Sequence, residues 1–91
     1  TGTRPAVIVS ADEVNNGPSG LVTVLPMTTT DRKIPTHVRV EPPEGGLSST
    51  SFILCEQART ISRKRLDNRT GAVSEDTLDT SSSFLRLVLD L

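Results

Sequence analysis

Three side-chain types that suit phosphoryl chemistry stand at the ends of apolar runs in this 91-residue sequence. Arg4 precedes the run Pro5-Ala-Val-Ile-Val-Ser10. Thr28, Thr29 and Thr30 close the run that begins at Leu21, and Glu56-Gln57 close the run Ser51-Phe-Ile-Leu-Cys55. A guanidinium stabilises charge on the equatorial oxygens of a reacting phosphate, and a hydroxyl holds one oxygen in place. If these strands meet in the same sense at one edge, Arg4, Thr28, Glu56 and Gln57 converge. The plainer arrangement is a surface Arg4 with Glu56 as its ion-pair partner, and a Thr run that is an ordinary strand end. Asp31-Arg32-Lys33 follow the hydroxyls at once, so the same tip presents Thr29, Thr30, Arg32 and Lys33 as candidate ligand contacts. No Gly-rich phosphate loop competes for the role. With one His (His37) and one Cys (Cys55) the sequence has no metal-ligand cluster, so neither a metal nor a cofactor is expected. His37 reads as a half-exposed strand residue and Cys55 as a buried, inert thiol.

Short strands must position these groups. The periodicity predicts strands at about 5–10, 21–28, 36–41, 51–56 and 59–62. The stretch from Leu21 to Met27 is almost continuously apolar, as in a strand buried on both faces, and Pro26 inside it calls for an edge position, a bulge or a bend. One helix is expected at about 75–89. Ser74 suits its N-cap, Glu75 and Asp76 complement its positive end, and Val73 and Leu78 occupy the staple positions. Leu78, Leu85 and Val88 mark its apolar face, widened by Phe84, Leu89 and Leu91. Ser81, Ser82 and Ser83 in its middle imply either close packing on a neighbour or a marginal helix. Five strands and one terminal helix make a mainly β, α+β domain over 1–91: a small, strongly bent sheet or open barrel with a helix attached.

Two Phe are the only aromatics, so aliphatic side chains must build the core. The net charge of −1 hides an uneven distribution. Arg59, Arg63, Lys64, Arg65 and Arg69 cluster against Asp67 alone, and an acidic tail follows. Without interleaved aromatics the cluster offers no stacking platform for bases. It is a solvated face, or it contacts phosphates or an acidic protein. No signal peptide or long apolar span stands out, which points to a soluble chain in a reducing compartment.

Several blocks occur in a telling order: Arg4-Pro-Ala-Val-Ile-Val-Ser10, Val24-Leu-Pro-Met-Thr-Thr-Thr30, Ile34-Pro-Thr-His-Val38, Leu54-Cys-Glu-Gln-Ala-Arg-Thr-Ile61 and Leu85-Arg-Leu-Val-Leu-Asp-Leu91. Together they resemble the MazF/PemK family, the ribonuclease toxins of bacterial toxin–antitoxin pairs. The resemblance implies an SH3-like, CcdB-like open barrel of about five strands with a C-terminal helix, assembled as a homodimer in the bacterial cytoplasm. It implies metal-independent cleavage of single-stranded mRNA at short sequences, and neutralisation by a MazE-type antitoxin with an acidic, flexible tail. Arg4 and Thr28 match the family's residues at the scissile phosphate. Thr30, Glu56 and Gln57 match positions near bound RNA, and Thr29, Arg32, Lys33 and Arg59 are expected beside them.

In some members an acidic residue at the position of Glu56 is proposed as the base, with an Arg two residues before it. Leu54 stands there in this sequence, so the mechanism built on Arg4 and Thr28 is preferred. The family also carries a first strand and a Glu-Gln loop ahead of the Arg-Pro block, and this sequence begins just before that block. A barrel without them would have one strand fewer and the RNA site one wall fewer. The expected reaction is attack of the ribose 2′-OH on the adjacent phosphorus, giving a 2′,3′-cyclic phosphate and a 5′-OH. The alternatives are a non-enzymatic toxin on the same fold, like the gyrase-poisoning CcdB, or an inactive scaffold domain.

Overall fold

The computed structural model describes residues 5–10, 16–66 and 71–90. Arg4, Asp67, Arg69 and Leu91, which figure in the expectations above, lie outside the described residues. Five strands, β1 (Ala6–Ile8), β2 (Leu21–Thr28), β3 (His37–Val40), β4 (Ser51–Leu54) and β5 (Arg59–Ser62), precede one helix, α1 (Glu75–Val88). The sheet is antiparallel in every described pairing and runs β1-β2-β4-β3, with β5 also on β2. It does not close on itself. The α+β class and open form expected from the sequence are what the chain adopts.

Strand β2 carries the whole sheet. Val24 pairs with Ile8 on one edge and with Arg59 on the other, so β1 lies opposite β5. Further along, Met27 pairs with Ile53 and Thr28 with Phe52, which places β4 on the same edge as β5. Between those pairings Leu25 and Pro26 face the five residues 54–58, so that edge carries three extra residues. They are accommodated by a 3-10 turn at Cys55–Gln57. Pro26 sits opposite this break. The amide of Met27 donates to Pro5 on the β1 edge, at 3.2 Å. Strand alternation therefore turns the nitrogen of Pro26 toward the interrupted edge, where the missing N–H breaks no ladder bond.

Alternation also explains why β2 is apolar on both faces. Leu25 and Met27 join Val7, Val38, Val40, Ile53 and Cys55 in the main core, against which Phe84 and Leu85 of α1 pack. Leu25 and Ile53 are fully buried, each contributing about 1.5–3 kcal/mol of burial. Val22 and Val24 point to the opposite face and are also buried.

Helix α1 begins as its sequence predicts. The Ser74 hydroxyl accepts from the Thr77 amide at 3.1 Å. Glu44, on the 3-10 turn Glu44–Gly46, accepts from the Ser74 amide at 2.9 Å and so ties that turn to the helix start. Gly71 lies so close to this turn that a Cβ would stand 2.8 Å from the backbone of Gly45 and Gly46. The packed face differs from the expected one. It runs through Thr77, Ser81, Phe84 and Leu85, whereas Val88 and Leu89 are exposed. Ser81 is fully buried, its hydroxyl bonded to the Thr77 carbonyl at 2.8 Å. A larger side chain there would hold the helix away from Cys55, so Ser81 answers to close packing rather than propensity. Burial pushes the Cys55 thiol up, against a hydrogen bond from Ser81 that lowers it. Among the described residues no helix is long and apolar enough to cross a membrane.

Candidate nucleic-acid interface

The C-terminal end of β2 opens on a cleft of about 370 Å³ lined by Pro5, Met27, Thr28, Thr29, Thr30, Arg32 and Ser51. Thr28 is half-buried, and its hydroxyl oxygen accepts from the Thr30 amide at 3.2 Å. That bond uses a lone pair and leaves the O–H available to donate. Lys33 has left-handed backbone (φ 57°) and folds back on Asp31 through its amide (2.9 Å) and its ammonium (3.2 Å). The amide and ammonium of Lys33 together hold the Asp31 carboxyl below its ordinary range. Lys33 is thus paired with its neighbour in an exposed turn, and Arg32 lines the cleft. Arg4, next in sequence to Pro5, lies outside the described residues.

The three-residue excess on the β4–β5 edge lifts Glu56 out of the ladder. Its carboxylate accepts from the Thr36 hydroxyl at 3.0 Å on one oxygen and from His37 Nε2 at 2.8 Å on the other. The Gln57 amide reaches the second oxygen at a long 3.4 Å. Burial pushes the Glu56 carboxyl up, but the bonds from His37, from its own backbone amide and from Thr36 outweigh this and hold it below its ordinary range. His37 is half-buried as a whole residue, as β3 alternation suggested, but its side chain is turned inward. Its side chain is 4% exposed and Nδ1 has no partner among the described residues. The partner of Glu56 in the described chain is therefore a histidine.

Register decides which candidates share a face. Thr28, Phe52 and Arg39 stand in one row across β2, β4 and β3, and Leu54 and His37 in the next. Arg59, opposite Val24, faces the same way. This is the face opposite α1. Thr28, His37, Arg39 and Arg59 therefore lie on one helix-free surface, with Glu56 and Gln57 at its margin. Along the sheet, two strand spacings and two residues separate the backbones of Thr28 and His37, roughly 12 Å. Arg39 was not among the sequence candidates, although its place two residues from His37 on one strand signals the shared face; it pairs with Glu41 at 3.0 Å. Two members of the basic cluster lie elsewhere. Arg63 and Lys64 line a second cleft of about 400 Å³ at the other end of β2, with Ser19, Gly20 and Ser62.

The fold is thus a small open antiparallel sheet with one covering helix, and its helix-free face carries Thr28, Arg39 and Arg59 with Glu56 at its margin. The chain belongs to the PemK-like, MazF-like toxins of type II toxin–antitoxin systems, whose family model matches residues 1–89. The Mycobacterium tuberculosis toxin MazF-mt6 is 28% identical, with a TM-score of 0.84 over 97% of this chain and 87% of that one. MazF in a MazE–MazF structure from Deinococcus radiodurans is 26% identical, with a TM-score of 0.86 over 100% of this chain and 86% of that one. An endoribonuclease in complex with its cognate antitoxin, from a mycobacterial species, is 28% identical, with a TM-score of 0.83 over 99% and 84%.

Proposed function

We propose that this toxin is an endoribonuclease that cuts single-stranded mRNA without a metal and is neutralised by a cognate antitoxin. The observation that carries the reading is the Thr28 hydroxyl, held by the Thr30 amide at the rim of a cleft with its proton still free to donate. Such a donor is suited to a non-bridging phosphate oxygen. The ribose 2′-OH attacks the adjacent phosphorus as the bond to the 5′ oxygen breaks, leaving a 2′,3′-cyclic phosphate and a 5′-OH. Arg4 stabilises the charge of the phosphorane. Its pKa above about 12 suits it to holding charge more than to donating the proton that the leaving oxygen takes up. Thr29, Thr30 and Arg32 hold the flanking strand, and Arg59 extends the same face.

The partner is acidic and extended, because a face that accepts phosphates also accepts a carboxylate-rich peptide. Two copies pair through apolar surface such as Leu87 (69% exposed) and Leu89 (56% exposed). Sedimentation that finds only monomer at micromolar concentration contradicts the dimer. Incubation with single-stranded RNA in EDTA tests the activity. Discrete cuts ending in cyclic phosphate support it. Intact RNA beside folded protein removes it and favours a non-enzymatic binding module.

A further inference from the structure

We propose that the cleft between the start of β2 and the turn after β5 is a second phosphate subsite. There Lys64, Arg63 and the hydroxyls of Ser19 and Ser62 take an internucleotide phosphate of the same RNA strand that is cut at Thr28. The inference rests on the nuclease reading and deepens it, because it gives the substrate a preferred length and a side on which it extends.

Three observations point this way. First, the cleft, of about 400 Å³, is lined by hydroxyls and cations and by no carboxylate. The Ser62 hydroxyl accepts from the Lys64 amide at 3.3 Å, and the Ser19 hydroxyl accepts from the Leu21 amide at 3.3 Å. Each bond uses a lone pair and leaves an O–H to donate, the arrangement that Thr28 has at the other end of the same strand. The oxygens of a phosphodiester only accept, so this donor set suits them. Second, the cations are held in place and not neutralised. The Arg63 amide donates to the Gly20 carbonyl at 2.7 Å, which fastens the turn carrying Arg63 and Lys64 to the start of β2. Lys33 and Arg39 are paired with carboxylates, whereas Arg59 and Lys64 are exposed and enter no ion pair among the described residues. Third, the cations follow one strand. Arg59 pairs with Val24, four residues before Thr28, and Ser62 pairs with Leu21, three residues earlier again. From Arg32 at one end of β2 to Lys64 at the other, cations thus recur about every 10–13 Å.

The occupant is the strand already engaged at Thr28 and not a separate anion. From Thr28 to Gly20 the backbone of β2 spans roughly 26 Å, which a few nucleotides of extended single strand cover, and Arg59 lies between the two ends. A strand bound at Thr28 brings its own phosphates to the cleft at high effective concentration, an advantage that a separate acidic peptide lacks. The missing aromatics fit the same account. Contact at this end is to the sugar–phosphate backbone, so it lengthens the footprint without reading more sequence.

The test begins with wild-type protein and a randomised single-stranded RNA pool, with the cut ends sequenced to define one preferred site. A pool left uncut refutes the nuclease reading itself and with it this proposal. Short substrates carrying that site are then extended with abasic ribose phosphates, one unit at a time, on one side or the other. One side is expected to show a step in kcat/KM of roughly tenfold at the length that reaches the cleft. Past the step, the log–log dependence of kcat/KM on salt should be steeper by about 0.7, the share of one phosphate on a single strand. In Lys64→Gln the ratio of long to short substrate should fall toward one, and Ser62→Ala should lose part of it, both compared at equal folded fraction. Three results overturn the proposal. One is the lack of any step on either side, and another is an equal small gain for every added unit on both sides, which marks the general field of the protein. The third is a step that Lys64→Gln retains; if that variant also loses affinity for an oligoglutamate, the cleft serves an acidic peptide instead.

Discussion

Replacing Thr28 with valine separates the hydroxyl from everything else the residue does. Valine keeps the β-branched shape that suits the end of β2. The fold loses one bond, in which the Thr28 hydroxyl accepts from the Thr30 amide at 3.2 Å in an exposed turn. Water replaces that acceptor, so the cost is at most about 1 kcal/mol, a fall in Tm of no more than about 4–8 °C for a chain of this size. The effect on cleavage is of a different order. The same hydroxyl keeps its donor for a phosphate oxygen, and removing one donor aimed at developing charge costs about a hundred- to a thousandfold. Single-turnover cleavage of an end-labelled RNA at saturating protein measures this, with folded fractions matched by circular dichroism. A folded Thr28→Val protein that cuts within a few-fold of wild type would show that Thr28 is only the end of a strand.

Gly71→Ala should destabilise by about 1–3 kcal/mol, because its Cβ would stand 2.8 Å from backbone atoms of Gly45 and Gly46 that cannot rotate away; an unchanged urea midpoint would contradict this packing. Acid should weaken the fold through Glu44 and Glu56. The Glu44 carboxyl is held down by the Thr77 hydroxyl and then by the Ser74 amide, while at Glu56 the bonds from His37, its own amide and Thr36 overcome the upward push of burial. Both folded pKa values lie below the ordinary 4.5, so the stabilisation is complete above that pH and is lost as pH falls through the lowered values. In Glu44→Gln the urea midpoint should be lower at neutral pH and fall less steeply in acid, and an identical acid slope would argue against the assignment. Arg4→Lys should keep the fold and lose most cleavage, since lysine keeps the charge without the planar fork; equal single-turnover rates would remove Arg4 from the reaction.

The sequence announced the parts of the fold that depend on local chemistry. The apolar run from Leu21 to Met27 is buried on both faces, and Ser74 caps the helix. Pro26 was legible as a disturbance but not as to which kind, because only the register shows that its nitrogen faces the gap between β4 and β5. The helix face was read too broadly: Phe84 and Leu85 pack on the core as expected, but Leu78 and Val88 at its two ends are exposed. Periodicity marks an apolar stripe, but the neighbour decides which part of it is covered, and α1 docks through Ser81. The His37–Glu56 pair left no signal along the chain. Its members are 19 residues apart, one on a strand and the other on a turn produced by a register excess. Thr28 and Glu56 were read as neighbours only if their strands meet in the same sense at one edge; the register puts Thr28 on the helix-free face and Glu56 on the turn at its margin.

The central claim is that the substrate supplies the nucleophile. Cys55, the one thiol, is fully buried, and the described His37 is committed to Glu56, so neither is an activated nucleophile. The measurement is a comparison of one RNA oligonucleotide with a twin carrying a single 2′-deoxy residue immediately 5′ of the cut phosphate, at equal protein. The account predicts that the twin binds and stays intact while the parent is cut. Cutting of the twin at the same bond would contradict 2′-OH attack and require a water nucleophile in its place.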